Sequence, residues 1–155
     1  MGIDPRKILV DADACPRSVL KILQQISSEF HLPLFTVSSF NHDIDNPLHI
    51  TVGNGPDEAD LAIVNRVAPE DIVVTQDWGL AALVLGRKVR VLNFFGREYT
   101  AQRIDFLLDE RFQKAKFRRS GGRTKGPAAR TREDDLAFER GLRRILEEGR
   151  PGLRA

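Results

Sequence analysis

"KILVDADACPRSVL", residues 7 to 20, holds an apolar run that ends abruptly at two aspartates, Asp11 and Asp13, followed by Cys15 and Pro16. Strand side chains alternate faces, so a strand through this segment turns Asp11 and Asp13 the same way. At about 5 Å and an effective dielectric of roughly 20, such a pair repels by about 3 kcal/mol, a cost that a bound cation or a shared proton offsets. The consecutive apolar residues "ILV" mark a strand covered on both faces, as in a parallel sheet between helix layers.

Working outward, further strands are expected at "LFTVSS", "LHITVG", "DIVVTQ" and "VRVLNF", each a short apolar run between turn or helix signals. Helical patterns separate and follow them. "PRSVLKILQQISSEF" opens on Pro16 and places Val19, Leu20, Leu23 and Ile26 on one face. "PDEADLAIVNRVA" puts Pro56 and three acids in a first turn and spaces Leu61, Val64 and Val67 inward. "WGLAALVLGR" is a third helix, with Gly86 as its stop. A fourth spans "TAQRIDFLLDERFQKAKF", and a last one starts at Thr131 with Asp134 as a capping-box partner and Phe138, Leu142, Ile145 and Leu146 as its inward stripe.

In parallel sheets ligands bind beyond the carboxyl ends of the strands, where the winding direction reverses. Asp11 and Asp13 end the first strand and Asp77 ends the fourth, so the three carboxylates meet if those strands are neighbours. Asp60, in the first turns of the preceding helix, reaches the same crevice, while Glu58 is expected to point elsewhere. An oxygen-only set of this kind suits Mg²⁺ or Mn²⁺.

The 155 residues, 41% apolar and 30% charged, suit one domain of ordinary core size. The longest apolar run, "LAALVL", is far short of a membrane span, so no membrane partner is expected. One cysteine forms no internal disulfide, which suits a reducing cytoplasm. The net charge of +2 hides an asymmetry: residues 1–110 carry 10 cations against 16 acids, residues 111–155 carry 14 against 6. Residues 111–132 hold nine cations and no acid, a surface for polyanions. Arg118, Arg119, Arg123, Lys125 and Arg130 are the expected phosphate contacts.

Other chemistries find less support. Cys15 lacks a second cysteine or a phosphatase-type arginine and reads as structural. His31, His42 and His49 have no ligand spacing. Ser38 and Ser39 lack a nucleophile elbow, and "GGRTKG" lacks the strand and the Lys-Ser/Thr order of a phosphate loop.

"DADACP", "VTQDWGLA" and "RTKGPAARTREDDLAFERGLRRIL" resemble the signature blocks of the YaiI/YqxD family, bacterial proteins grouped with PIN-like nucleases. The resemblance implies a three-layer, doubly wound α/β domain with a mostly parallel sheet over residues 1–115. Residues 116–155 then form a basic helical C-terminal extension, a Gly-rich loop and last helix packed on the same domain. It also implies that Asp11, Asp60 and Asp77 correspond to the divalent-metal acids of PIN nucleases, with Asp13 beside them. The expected activity is metal-dependent phosphodiester hydrolysis, with RNA ahead of DNA as partner and Thr75 orienting the acids. PIN nucleases often carry a further acid shortly after the third-block aspartate; Trp78 and Gly79 stand there, which leaves open a nucleic-acid binder without turnover. A second alternative reads "ILVDADAC" as the D-x-D motif of haloacid-dehalogenase-type phosphatases, with Asp11 as nucleophile, Asp13 as general acid and Lys88 as a poor candidate for the required lysine. Nothing in the residues sets the oligomeric state.

Overall fold

The first strand forms where expected: β1 (Ile8–Asp11) runs through the apolar segment and stops at the first aspartate. In this computed structural model, which describes residues 4–40, 43–55, 57–119, 121 and 128–149 (118 and 119 by backbone alone), the remaining elements follow in the order the sequence predicts. They are α1 (Arg17–Phe30), β2 (Leu34–Ser39), β3 (Leu48–Val52), α2 (Glu58–Val64), β4 (Ile72–Val74), α3 (Trp78–Leu85), β5 (Arg90–Leu92), α4 (Ala101–Arg119) and α5 (Arg132–Glu148). Pro56, His42, Arg123, Lys125 and most of the Gly-rich loop lie outside the described residues.

The five strands make one sheet of order β3-β2-β1-β4-β5, and every described pairing is parallel. Expected as mostly parallel, the sheet is wholly so. From β1 the chain winds outward through β2 to β3, then returns to the other flank of β1 for β4 and β5. The reversal therefore falls between β1 and β4, which pair in the register Val10↔Val74. Buried Asp71 accepts hydrogen bonds from the Lys7 backbone N–H (3.1 Å), Lys7 Nζ (2.6 Å) and the Ala68 N–H (2.8 Å). This carboxylate clamps the amino ends of the two strands whose carboxyl ends lead to Asp11 and Asp77.

Strand alternation sends side chains into a core on each face of the sheet. On one face Ile8, Val10, Ile72, Val74 and Leu92 pack with Val19, Leu23 and Ile26 of α1 and with Phe138, Leu142, Ile145 and Leu146 of α5. On the other Val37, Val73 and Val91 pack with Ala62 and Ile63 of α2, Leu80, Ala81 and Val84 of α3 and Ile104 of α4. The last helix opens with the capping box, in which Thr131 and Asp134 exchange hydrogen bonds.

Two expectations fail locally. α2 is shorter than its pattern predicts, ending at Val64, and it buries Ala62 and Ile63 while Leu61 is 56% exposed. Leu20 of α1 is only partly buried. Val64 and Val67 do pack against the core as expected, so in this two-turn helix only Leu61 falls outside the inward stripe, its place taken by Ala62 and Ile63.

Candidate functional site

At the carboxyl ends of β1, β2 and β4 opens a cavity of about 410 Å³ whose lining includes Asp11, Asp13, Asp60 and Asp77. The elements present these acids in four different ways. Asp11 is the last residue of β1, and its Oδ2 accepts from Thr75 Oγ1 at 3.2 Å. Thr75, fully buried just after β4, also accepts from the Asp77 N–H at 3.0 Å, so one hydroxyl ties the two strand ends together. Asp77 is the N-cap of α3: its Oδ1 accepts from Gly79 N–H at 2.8 Å and Leu80 N–H at 3.3 Å. Asp60 rides on the first turn of α2.

Asp13 reaches the cavity by a route that differs from the expected one. β1 ends at Asp11, and Asp13 lies in the turn beyond it, so strand alternation does not aim it. The backbone N–H of Ser39 (2.9 Å) and its hydroxyl (3.2 Å) donate to Asp13 Oδ1 instead.

The electrostatics follow from this crowding. Burial first, then the charges of Asp13, Asp60 and Asp77, push the Asp11 carboxyl up to about 6, against the hydrogen bond from Thr75, which pulls the other way. Asp60 is raised by burial and by the charges of Asp77 and Asp57.

The donor set is oxygen-only, which matches the preference of Mg²⁺ and Mn²⁺. Among the described residues Asp11 Oδ1 and Asp77 Oδ2 carry no hydrogen bond, so each acid is held by one oxygen and offers the other. No group of three or more acids, histidines or cysteines stands close enough, among the described residues, to hold one ion together. Mg²⁺ commonly takes only one or two carboxylates and completes its shell with waters and substrate phosphates, so a carboxylate pair at this cavity fits it.

No lysine lines the cavity among the described residues, and Lys88 precedes β5, at the amino end of the sheet. On the near side, Trp78 follows Asp77, and the Arg111 guanidinium of α4 lies 5.2 Å from its ring centroid. Helix α4 thus packs against the residue that follows Asp77.

A family model described as "Uncharacterized BCR, YaiI/YqxD family" matches residues 9–148, a span that includes all four aspartates. The chain belongs to the YaiI/YqxD family. It is 50% identical over 142 residues to a UPF0178 protein of Heliobacterium modesticaldum, covering 92% of this chain and 97% of that protein. A UPF0178 protein of Exiguobacterium sibiricum is 49% identical with the same coverage, and one of Alkaliphilus metalliredigens is 41% identical over 145 residues, covering 92% of each. No solved structure matches the chain.

In this YaiI/YqxD chain the cavity also contains residues beyond the four aspartates. Glu58, expected to point elsewhere, lines it and accepts from the Gly55 N–H at 2.7 Å; Asp57 and Ser39 line it too. The one signal for them was the cluster of glycines and acids in "GNGPDEAD", where a loop folds back over the helix start. Arg130, expected to contact phosphates, donates from Nε to Asp135 (2.7 Å) and from Nη2 to the Phe94 carbonyl (2.6 Å), strapping α5 to the end of β5. His49 lies between the hydroxyls of Thr36 (2.6 Å) and Ser38 (3.0 Å), a pairing within the sheet.

Burial pushes the Cys15 thiol up to about 12, with Arg130 opposing and Asp11 adding to the rise. Thiolate is the reactive form, so at pH 8 Cys15 should alkylate with iodoacetamide at least about a hundredfold more slowly than a free cysteine of pKa near 8.5. Mass spectrometry of the folded chain against time checks this. A rate equal to that of the urea-unfolded chain contradicts the inert assignment.

Proposed function

We propose that this chain is a metal-dependent nuclease of PIN-like type that hydrolyses phosphodiesters of nucleic acid, RNA ahead of DNA. The observation that carries the reading is the convergence of Asp11, Asp13, Asp60 and Asp77 on one cavity at the sheet's reversal point. Asp11 and Asp77 would hold Mg²⁺ or Mn²⁺ directly, with Asp13 and Asp60 as direct or water-bridged partners. A bound cation of this class neutralises charge on a scissile phosphate and acidifies a water. Thr75 keeps Asp11 Oδ2 and the Asp77 backbone in register, and the α3 amides fix the Asp77 carboxylate, so neither acid must be ordered when substrate arrives.

The covalent phosphatase alternative lacks its lysine at this cavity among the described residues. A binder without turnover shares the same geometry and differs only in outcome. Purified chain with Mn²⁺ and labelled single- and double-stranded RNA and DNA, run beside Asp11→Asn, separates them. Cation-dependent cleavage that falls at least about a hundredfold in Asp11→Asn is the expected result. Retention of nucleic acid with no cleavage at any Mn²⁺ concentration leaves the binder.

The polyanion would be held by the basic tail, reached along α4 from Arg111. Each engaged duplex phosphate contributes about −0.9 to the slope of log affinity against log salt. Replacing Arg118, Arg119 and Arg123 with alanine should make that slope shallower by up to about 2 to 3 units while leaving the Mn²⁺ response intact. An unchanged affinity and slope would remove the tail from the binding surface.

A further inference from the structure

A second cavity, of about 340 Å³, opens at the β5 edge of the sheet between the turn after that strand, the start of α4 and the end of α5. None of its lining residues belongs to the aspartate cavity. Four arginines, Arg90, Arg97, Arg103 and Arg144, face two glutamates, Glu98 and Glu148. Both glutamates bind Arg90: Glu98 takes Nε (2.9 Å) and Nη2 (2.6 Å) in a bidentate fork, and Glu148 takes Nη1 at 3.1 Å. Among the described residues Arg97, Arg103 and Arg144 have no carboxylate partner. Arg103 Nε is moreover buried with no hydrogen-bond partner at all.

A buried guanidinium N–H without an acceptor is costly, and native proteins seldom leave one so. The floor of this cavity is also built tightly: Gly96 and Gly141 both line it, and a Cβ at Gly141 would meet the Gly96 backbone while one at Gly96 would meet the α5 backbone at Ala137. Such a floor fixes the spacing between the turn that carries Arg97 and the helix that carries Arg144. We infer that this cavity is a binding site for a phosphate oxyanion, held by Arg97, Arg103 and Arg144. Guanidinium forks match phosphate geometry two N–H groups at a time, and the lining's surplus of positive charge suits a dianion. The phosphate belongs either to a free anion or to the end of a nucleic-acid strand.

The test uses the full chain and inorganic phosphate as probe, titrated by calorimetry at constant ionic strength with chloride as the balancing anion. The parent should bind phosphate saturably at one site. Arg97→Gln combined with Arg144→Gln should weaken it about tenfold or more, and Arg144→Gln alone should weaken it by less. Arg140→Gln, exposed on α5 outside the cavity, should bind as the parent does. Asp11→Asn should also bind phosphate normally, so a failure of the nuclease reading and a failure of this site remain distinguishable. Tighter binding of a 5′-phosphorylated oligonucleotide than of its 5′-hydroxyl twin, displaced by phosphate, identifies a strand end. Equal binding of the two, with phosphate still bound, identifies a free anion. Absence of saturable phosphate binding in the parent, or equal affinity in parent and folded double variant, overturns the site.

Discussion

Gly141→Ala should lose on the order of 3 kcal/mol or more of folding stability. A Cβ at Gly141 would fall inside contact distance of the Gly96 carbonyl oxygen, 2.8 Å from Gly96 Cα and 2.9 Å from its carbonyl carbon. Every one of these atoms is backbone, so no rotamer change relieves the clash; α5 must move off the turn that follows β5. That helix carries Phe138, Leu142, Ile145 and Leu146 into the core, so displacing it opens the packing of one whole face. The reciprocal change is worse placed still. Gly96 has φ +83, and a Cβ there would lie 2.7 Å from the Ala137 carbonyl carbon and 3.0 Å from Phe138 Cα. Against a typical domain stability of roughly 5–15 kcal/mol, either loss lowers Tm by about 6–12 °C for a chain of this size. Gly86→Ala is the control: it caps α3 in the right-handed helical region, and the nearest atom to a new Cβ is Leu83 O at 3.9 Å. It should stay within about 0.5 kcal/mol of the parent. Urea denaturation of the three variants beside the parent decides; a Gly141→Ala midpoint equal to that of Gly86→Ala would mean the helix has room the structure does not show.

That glycine pair marks the boundary of what the residues announce in order along the chain. Strand segments, helix order and the Thr131 cap were readable because each depends on neighbours within a turn or two, and the reversal between β1 and β4 follows from the winding rule once the order is known. Asp11 and Asp77 could therefore be brought together from sequence. Asp13 was brought to the right place by the wrong force, since alternation would not carry past the end of β1, whereas Ser39, 26 residues later, does hold it. Glu58 has only the faint signal of the glycines and acids around it and the Gly96–Gly141 contact has none: the first depends on how a short loop folds back, the second on a distance between elements separated by a long helix. The arginine cavity collects residues from β5, the following turn, α4 and α5, and no linear spacing announces it.

Asp11→Asn should reverse sign with the cation. Without metal, the Asp11 carboxyl is raised from 3.8 to about 6 in the folded chain, mainly by burial and then by Asp13, Asp60 and Asp77. Below about pH 4 folded and unfolded chains both keep its proton, and Asp11 costs nothing. Between about 4 and 6 the unfolded chain releases the proton first, so stability falls as pH rises; above about 6 the cost is complete. Discounted for its partial exposure, the penalty at neutral pH is about 2 kcal/mol. Asparagine keeps an oxygen for Thr75 but has no proton to lose, so at pH 7.5 the metal-free variant should be more stable than the parent by up to that amount and lack this part of the decline between pH 4 and 6. Saturating Mn²⁺ should invert the order. At a hundred times its dissociation constant, a ligand specific to the folded state adds about 2.7 kcal/mol to the parent, while a variant with the cluster's most strained carboxylate neutralised gains little. Thermal melts at pH 7.5 across a Mn²⁺ titration should therefore cross, and parallel curves with equal cation shifts would remove Asp11 from any metal site. The crossing is the signature of a carboxylate kept against the fold's own interest: only a bound cation, and the chemistry that needs it, turns its cost into a gain.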